Sequence, residues 1–135
     1  MATKQSSTVR RKGTVKTIQP RVKVWLERDD EYIFGWGLCE ILQNVQAAGS
    51  IKEAAARLGK SYRYVWGRVK EGEETLGQSL VETRVGGVVE QRADLTPLAT
   101  ELVTEFAEFR RRLHAVVEQE FAERFAALKT KQAKR

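Results

Sequence analysis

The sequence predicts a mainly α-helical fold of the α+β class: a β-hairpin, three short helices, a second hairpin and a long C-terminal helix. Three observations lead to this prediction. Apolar residues recur at helical spacing between residues 38 and 76, two β-prone segments enclose Gly86-Gly87, and neither glycine nor proline occurs after Pro97. Because the chain has 135 residues, we expect one folded domain with tails.

The first predicted element is a short β-hairpin. Residues 22–26 and 32–34 are rich in β-branched and aromatic side chains and enclose the polar residues 27–31. Trp25 and the nearby Trp36 are expected in the core or in a dimer interface. Cys39 is expected to be a small buried thiol.

Two helices follow, each with a recognisable end. The apolar stripe of the first is Leu38, Ile41, Leu42 and Val45. It ends before Gly49, since glycine tolerates the left-handed conformation in which many helices stop. Ser50 and Glu53 have the spacing of a capping box, which predicts a second helix ending at Gly59.

A third helix is predicted to start at Ser61. Its apolar stripe is Tyr62, Val65, Trp66 and Val69. We expect it to continue through a weak point at Gly72 and to stop at Gly77.

The join between the second and third helices is the most informative segment. Two helices that cross steeply need a small side chain at the crossing, a residue that accepts positive φ in the turn, and a cap for the next helix. Ala55, Gly59 and Ser61 supply these three features in order. The segment therefore predicts a helix-turn-helix, although such corners also occur in proteins that bind no DNA.

The second hairpin favours the DNA-binding interpretation. Residues 80–85 and 88–92 are β-prone and flank Gly86-Gly87, a dipeptide suited to a tight turn. A hairpin directly after a helix-turn-helix is a wing, so the predicted fold is a winged helix-turn-helix. Arg84 and Arg92 are expected to reach phosphates or the minor groove.

The third helix has the features of a recognition helix. Arg63, Gly67 and Lys70 lie opposite the Val65/Val69 stripe, and basic and aromatic side chains border them. For Trp66, packing in the core is an equally acceptable interpretation. The residues predicted to contact DNA are Ser61, Tyr62, Arg63, Trp66, Gly67, Arg68, Lys70, Arg84, Gly86, Gly87 and Arg92.

This part of the chain also resembles a known family. The runs that carry the resemblance are Gly49-Ser50-Ile51, Ala54-Ala55, Ser61-Tyr62-Arg63-Tyr64-Val65-Trp66, Leu76-Gly77, Leu80-Val81, Gly86-Gly87 and Leu95-Thr96. Over roughly residues 21–128 the chain resembles the N-terminal domain of the ModE family of molybdate-responsive transcriptional regulators, which is related to the winged helix of LysR-type regulators. The resemblance implies a homodimeric, DNA-binding winged helix that pairs through long helices and acts as a repressor or an activator.

Two features depart from that family. Its wings are often richer in glycine, whereas here Gly86-Gly87 is followed by residues 88–91 with the sequence Val-Val-Glu-Gln. The 135 residues also contain no molybdate-binding domain like those of full-length members. We therefore do not extend molybdate sensing to this chain, and no small-molecule effector is predicted.

The C-terminal segment predicts a dimerisation helix. Thr96 followed by Pro97 is a helix start, because threonine caps and proline suits the first turn. A helix from Pro97 to about Leu128 would be roughly 48 Å long, and its distal apolar stripe would be exposed in a monomer. The predicted dimerisation residues are Trp25, Phe109, Leu113, Val116, Val117, Phe121 and Phe125. Arg110-Arg111-Arg112 is expected to be a solvated face.

The charge is concentrated in the tails. The formal net charge is +6, but residues 1–23 and 129–135 carry eleven basic side chains and no acid, so residues 24–128 are net negative. We expect a disordered basic arm (1–20), a DNA-binding domain (21–95), a dimerisation helix (96–128) and a basic tail (129–135). The arm is interpreted equally well as a solvated tail or as a contact to phosphates.

Several classes of protein are not expected. One cysteine and one histidine, Cys39 and His114, supply neither an internal disulfide nor a zinc cluster. No catalytic constellation, metal site or cofactor site is predicted, so we do not expect an enzyme. The chain has no apolar segment of about 18 residues and no N-terminal secretory signal, which favours a cytoplasmic protein.

Two alternatives to DNA binding remain at this point. The first is a winged helix that binds a protein through its acidic body. The second is a small protein that binds an oxyanion such as molybdate or tungstate at the helix N-termini near Ser50, Ser61 and Thr96.

Overall fold

The computed structural model describes residues 17–86 and 90–128. The chain divides into two compact units, one formed by Lys23–Leu113 and the other by the two terminal segments, Met1–Val22 and His114–Arg135. Most of the predicted basic arm, Gly87 of the predicted wing turn, and the tail at 129–135 lie outside the described residues.

The order of elements confirms the predicted fold class. The elements are β1 (Trp25–Arg28), β2 (Glu31–Gly35), α1 (Trp36–Ala48), α2 (Ile51–Leu58), α3 (Tyr62–Leu76), β3 (Val81–Gly86), β4 (Glu90–Leu95) and α4 (Pro97–Arg124). Strands β1 and β2 form one antiparallel pair and β3 and β4 another. The helix-turn-helix therefore lies between two hairpins, as the sequence predicts.

The first hairpin is shifted from its predicted position. Residues 22–24 precede β1, and the strands extend into the polar segment as far as Arg28 and Glu31. The turn is Asp29-Asp30, with φ of 53° and 66°. Two-residue turns of this hand match the twist of the strands, and aspartate accepts the left-handed region better than most residues.

Local signals set the ends of the short helices as predicted. The Ser50 and Ser61 hydroxyls accept hydrogen bonds from the Glu53 and Tyr64 backbone N–H groups, each at 3.0 Å. Gly59 ends α2 in the left-handed conformation, at φ 68°. These caps satisfy backbone groups that would otherwise lack partners.

The core lies where the end of β2, the three short helices α1–α3, the second hairpin and the start of α4 meet. Its fully buried large side chains are Phe34, Leu42, Leu80, Val45, Val65, Val69 and Cys39. Burial raises the pKa of the Cys39 thiol to about 11. The predicted buried thiol is therefore confirmed.

Gly72 is a packing position and does not break α3. A Cβ there would stand 2.6 Å from Leu38 Cδ2 and 3.5 Å from Leu80 Cδ1. Helix α3 continues through Gly72 to Leu76 because α1 approaches it closely at this point.

The wing hairpin corrects the predicted turn. Gly86 pairs with Glu90 in the ladder, so it belongs to β3 and is not a turn residue. Strand β4 runs from Glu90 to Leu95, further along the chain than predicted. A hydrogen bond of 2.9 Å from the Ala93 N–H to the Gly49 carbonyl ties β4 to the end of α1.

Helix α4 begins as predicted, on Thr96. The Thr96 hydroxyl accepts from the Ala99 N–H at 3.2 Å and donates to the Ser79 carbonyl at 2.9 Å. Phe106 is buried on the first half of α4 and meets Phe34 edge to face, with ring centroids 5.2 Å apart.

The expected solvated arginine face is wrong for Arg110. Its guanidinium carbon lies 4.0 Å from the centroid of the Trp36 ring, so a cation–π contact partly buries it. Arg111 and Arg112 are exposed and pair with Glu108, at 2.6 and 2.8 Å. Spacing along one helix could not show that Trp36 lies beside only one of the three arginines.

Candidate nucleic-acid interface

The turn between α2 and α3 has the geometry that the sequence predicts. Ala54 and Ala55 are buried on the inner face of α2, which leaves room for a close helix crossing. The Lys60 N–H donates to the Ala55 carbonyl at 3.0 Å and so closes the end of α2. Ser61 then caps α3, and the first turns of α3 face outward.

The centre of the outward face of α3 is open to solvent. Val65 and Val69 are fully buried on the inner side, while Arg63, Gly67 and Lys70 are exposed on the outer side. Apart from Gly67 itself, its two chain neighbours and the nearby backbone of α3, no heavy atom of the described residues lies within 4 Å of the place where a Cβ on Gly67 would stand. Within that described part, no hydrogen bond or ion pair holds the Arg63 guanidinium.

One border of this face consists of two cations around Tyr64. The Lys60 ammonium lies 5.3 Å from the Tyr64 ring centroid, and the Arg68 guanidinium lies 6.0 Å from it. Arg68 also donates to the Tyr64 hydroxyl at 3.2 Å and approaches Glu71 at 3.6 Å. Tyr64 therefore holds two positive side chains along one edge of α3.

The other border consists of Tyr62, Trp66 and Lys70. Tyr62 is 46% exposed even though it belongs to the predicted apolar stripe. Trp66 is half-buried against the core, which agrees with the packing interpretation. The Lys70 ammonium lies 4.6 Å from the Trp66 ring centroid and 3.2 Å from a Glu73 carboxylate oxygen.

Glu73 connects this border to the wing. Its Oε2 accepts hydrogen bonds from the backbone N–H groups of Leu80 at 2.8 Å and Val81 at 3.1 Å. Burial of the carboxyl opposes ionisation, but these two bonds and the Lys70 ammonium outweigh it and lower the pKa of Glu73. The charged carboxylate thus fixes the start of β3 relative to α3.

The charge of α3 changes sign along its length. Lys60, Arg63 and Arg68 surround its N-terminal half, whereas Glu71 and Glu74 are exposed on its C-terminal half. A polyanion is therefore attracted to the N-terminal turns, where the helix dipole is also positive. Sequence analysis did not include Lys60 and Tyr64 among the contact residues, because the Lys60–Tyr64–Arg68 arrangement depends on side-chain directions.

The predicted wing contacts are less available than expected. Arg84 donates from Nε and Nη2 to Asp94 Oδ2, at 3.0 and 2.8 Å. Arg92 turns toward the end of α1, and its Nη2 would be 2.8 Å from a Cβ on Gly49. Gly86 lies within β3, and Gly87 is outside the described residues.

A cleft of about 420 Å³ lies between the start of α2, the start of α3 and the wing. The residues that line it are Ser50, Ile51, Lys52, Tyr62, Thr83, Gln91 and Ala93. Most of their polar groups are uncharged hydroxyls and amides, and Lys52 is the one cation of this set. The cleft is continuous with the outward face of α3 through Tyr62.

The predicted dimerisation residues are distributed over the two units. In the unit 23–113, Trp25 and Phe109 are each 47% exposed and Leu113 is half-buried, so Trp25 is not a core residue. The Trp25 indole N–H donates to Glu27 Oε2 at 2.7 Å.

In the other unit, Val116 and Phe125 are exposed, and Val117 and Phe121 are half-buried. The rings of Phe121 and Phe125 stack, with centroids 5.2 Å apart. Apolar side chains thus occur along the distal part of α4, which ends at Arg124, and at Phe125 just after it.

Comparison with known proteins decides the type of domain. A family model described as "Bacterial regulatory helix-turn-helix protein, lysR family" matches residues 36–99. This match supports a helix-turn-helix domain of the LysR type at residues 36–99. This LysR-type domain comprises α1, α2, α3, the wing and the first residues of α4. The relation to LysR-type regulators that the resemblance implied is confirmed.

The crystal structure of ArgP from Mycobacterium tuberculosis is 27% identical to this chain, with a TM-score of 0.46, and the match covers 62% of this chain. This chain spans 30% of the length of that protein. A search of curated proteins found no match.

The described residues offer no support for metal chemistry or for a membrane span. Residues 17–86 and 90–128 contain no group of three or more His, Cys, Asp or Glu side chains that could hold a metal ion. Among these residues, no helix has both the length and the apolar character needed to cross a membrane.

Proposed function

We propose that this chain is a DNA-binding transcriptional regulator that inserts the N-terminal half of α3 into the major groove of duplex DNA. The proposal rests on the outward face of α3, within the region that matches the LysR-type helix-turn-helix model. On this face, Arg63 and Gly67 are open to solvent and lie between two borders of aromatic and basic side chains. Binding to DNA would place the protein in the cytoplasm.

Each side chain is assigned a contact to DNA according to the partners that it already has in the protein. Arg63 is held by no other described residue, so its guanidinium is free for a bidentate contact to a guanine edge. Lys60, Arg68 and Lys70 are positioned by aromatic rings at the two borders, where the DNA backbones would pass. These three are assigned to phosphates. Ser61 and Tyr62, at the start of α3, are also assigned to the backbone.

The wing is assigned a weaker role. Arg84 would have to exchange Asp94 for a phosphate, and Arg92 would have to leave the end of α1. Breaking each existing contact would reduce the binding free energy gained from the new contact to DNA. Most of the affinity therefore comes from α3, with Gly86, Gly87 and the wing arginines supplementary.

We also assign the chain a homodimeric state of the ModE type. The exposed apolar residues include Phe109 and Val116 on α4 and Phe125 just after its end, and pairing two copies would cover them. A symmetric dimer would present two α3 helices to successive major grooves, about 34 Å apart. The expected operator is an inverted repeat. No molybdate response is assigned to these residues.

Selection of bound sequences from random duplex DNA by the full chain tests this function. Enrichment of an inverted repeat with half-sites about one helical turn apart is expected. Its affinity should fall steeply as salt rises, because phosphate contacts release counterions. Enrichment of no sequence, with weak binding that is independent of salt, would contradict the proposal and favour a winged helix that binds proteins.

A further inference from the structure

Gly67 is an unusual residue at the middle of an exposed helix. Glycine destabilises a helix interior relative to alanine, because the backbone loses more freedom on folding. Such a cost is normally offset by packing, as at Gly72, where a Cβ would be 2.6 Å from Leu38 Cδ2. Gly67 has no such reason, since no described atom beyond its chain neighbours and the nearby backbone of α3 would come within 4 Å of its Cβ.

The side chains around Gly67 leave this space open. Arg68 is drawn to one side by the Tyr64 hydroxyl at 3.2 Å, and Lys70 is drawn to the other side by Trp66 and Glu73. The helix backbone at Gly67 is thus the lowest point of the outward face. A ligand that lies on this face therefore approaches the α3 backbone most closely at Gly67.

The surface of α3 at Gly67 is apolar. Inside α3 the N–H and carbonyl of Gly67 are used in helical hydrogen bonds, so the backbone offers only its Cα hydrogens. In the major groove, the group that suits an apolar contact is the C5-methyl of thymine. Adenine, guanine and cytosine present hydrogen-bonding atoms there, and these would face a surface that cannot bond them.

We propose that Gly67 is a specificity-determining position, whose missing side chain lets the α3 backbone contact the methyl group of one thymine in each half-site. This inference rests on the proposed DNA-binding function. It adds that thymine is the base recognised and that Gly67 is the residue that recognises it. Arg63, one turn earlier on the same face, reads the neighbouring base pair.

The test compares the full-length wild type with Gly67→Ala. Both proteins select sequences from random duplex DNA, and each selected thymine is then replaced by deoxyuridine, which lacks only the methyl group. For the wild type, replacement of that thymine in one half-site should lower affinity about fourfold, as expected for one buried methyl group. Gly67→Ala should bind the wild-type site about tenfold more weakly and should be insensitive to that replacement, because its Cβ occupies the position of the methyl group.

Stability provides an independent readout. Because the Cβ enters open space and alanine favours the helix, Gly67→Ala should raise the melting temperature by about 5 °C. Gly72→Ala is the matched control: it should lower the melting temperature through its contact with Leu38 and should leave the selected sequence unchanged.

The outcomes separate this inference from the function on which it depends. If the two proteins select the same sequence with equal affinity, or if no thymine methyl affects wild-type binding, the role of Gly67 is wrong while DNA binding stands. If the wild type enriches no sequence, the proposed function fails and this inference fails with it.

Discussion

At the scale of single residues, aromatic rings determine where the cations of α3 lie. Tyr64 holds Lys60 and Arg68 on one border, and Trp66 holds Lys70 on the other. Exposed lysine and arginine side chains lose considerable rotamer entropy when a ligand fixes them. Rings that hold these chains before binding reduce that cost, which suits the two borders to the proposed contacts with the DNA backbones.

Lys60→Ala tests this assignment of a phosphate contact. In the proposed dimer, removal of one phosphate contact per half-site should reduce the slope of log K against log salt by about 2, and should weaken binding to all sequences similarly. The measurement is a salt titration of affinity for the selected and a scrambled duplex. Arg111→Ala, which removes one exposed positive charge from α4, is the control and should leave the slope unchanged.

An unchanged slope for Lys60→Ala would show that Lys60 makes no phosphate contact. A reduced affinity for the selected duplex alone would instead assign Lys60 to a base. Either result would contradict the division of roles between the centre and the borders of α3.

The residue scale also shows the limit of prediction from sequence. The predicted face of Arg63, Gly67 and Lys70 follows from helical spacing alone. The ion pair between Arg84 and Asp94 does not, because it joins two strands and its partners are ten residues apart. Sequence therefore predicted which side chains are basic and outward, but not which of them already have partners.

At the scale of elements, Glu73 joins the recognition helix to the wing. One of its carboxylate oxygens accepts from two backbone N–H groups at the start of β3, while the other binds Lys70. Its side chain is only 13% exposed. The Glu73 carboxylate thus supplies an acceptor for the N–H groups of Leu80 and Val81, which would otherwise need another partner.

Removal of the Glu73 carboxylate should destabilise the fold. Glu73→Ala leaves two partly buried N–H groups without an acceptor, which should lower the free energy of unfolding by about 2 kcal/mol. Urea unfolding at neutral pH measures this change. Glu74→Ala, at an exposed position one residue later, is the matched control and should change stability by less than about 0.5 kcal/mol.

Acid should have a similar effect on the wild type. Since the pKa of Glu73 is lower in the native state than its ordinary value of 4.5, ionisation stabilises the fold above that pH. The contribution is lost as the pH falls from 4.5 through the native pKa. Glu73→Gln should lack this part of the acid dependence, and equal acid dependence of the two proteins would contradict the assignment.

Elements were predicted from sequence where their signals are local. Ser50, Ser61 and Thr96 cap helices as expected, because a cap needs only residues within one turn. The hairpins were placed less well. The positive φ of Asp29 and Asp30, and the pairing of Gly86 with Glu90, depend on strand register, which β-prone composition does not determine.

At the scale of the whole molecule, α4 provides the surface through which two copies are proposed to pair. Its first part carries Ala99, Val103 and Phe106 into the core of the unit 23–113. Further along, apolar side chains such as Val116 remain exposed. Length and apolar spacing were sufficient to predict this difference between the two parts of the helix.

Val116→Glu tests the proposed dimer. Val116 is 57% exposed, so the single chain should fold normally. A charge in the dimer interface should raise the dimer dissociation constant about 100-fold or more. Analytical ultracentrifugation measures the association, and Ala115→Glu, at an exposed position about 100° around α4 from Val116, is the control. A Val116→Glu protein that remains as dimeric as this control would contradict the proposed interface.

The central claim is that α3 reads DNA sequence through Arg63. The most direct measurement is the ratio of affinities for the selected duplex and a scrambled duplex, at fixed salt, for the wild type and Arg63→Ala. Loss of one bidentate base contact per half-site should reduce this ratio at least tenfold, while affinity for the scrambled duplex and the oligomeric state change little. An unchanged ratio would contradict the assignment of α3 as the recognition helix.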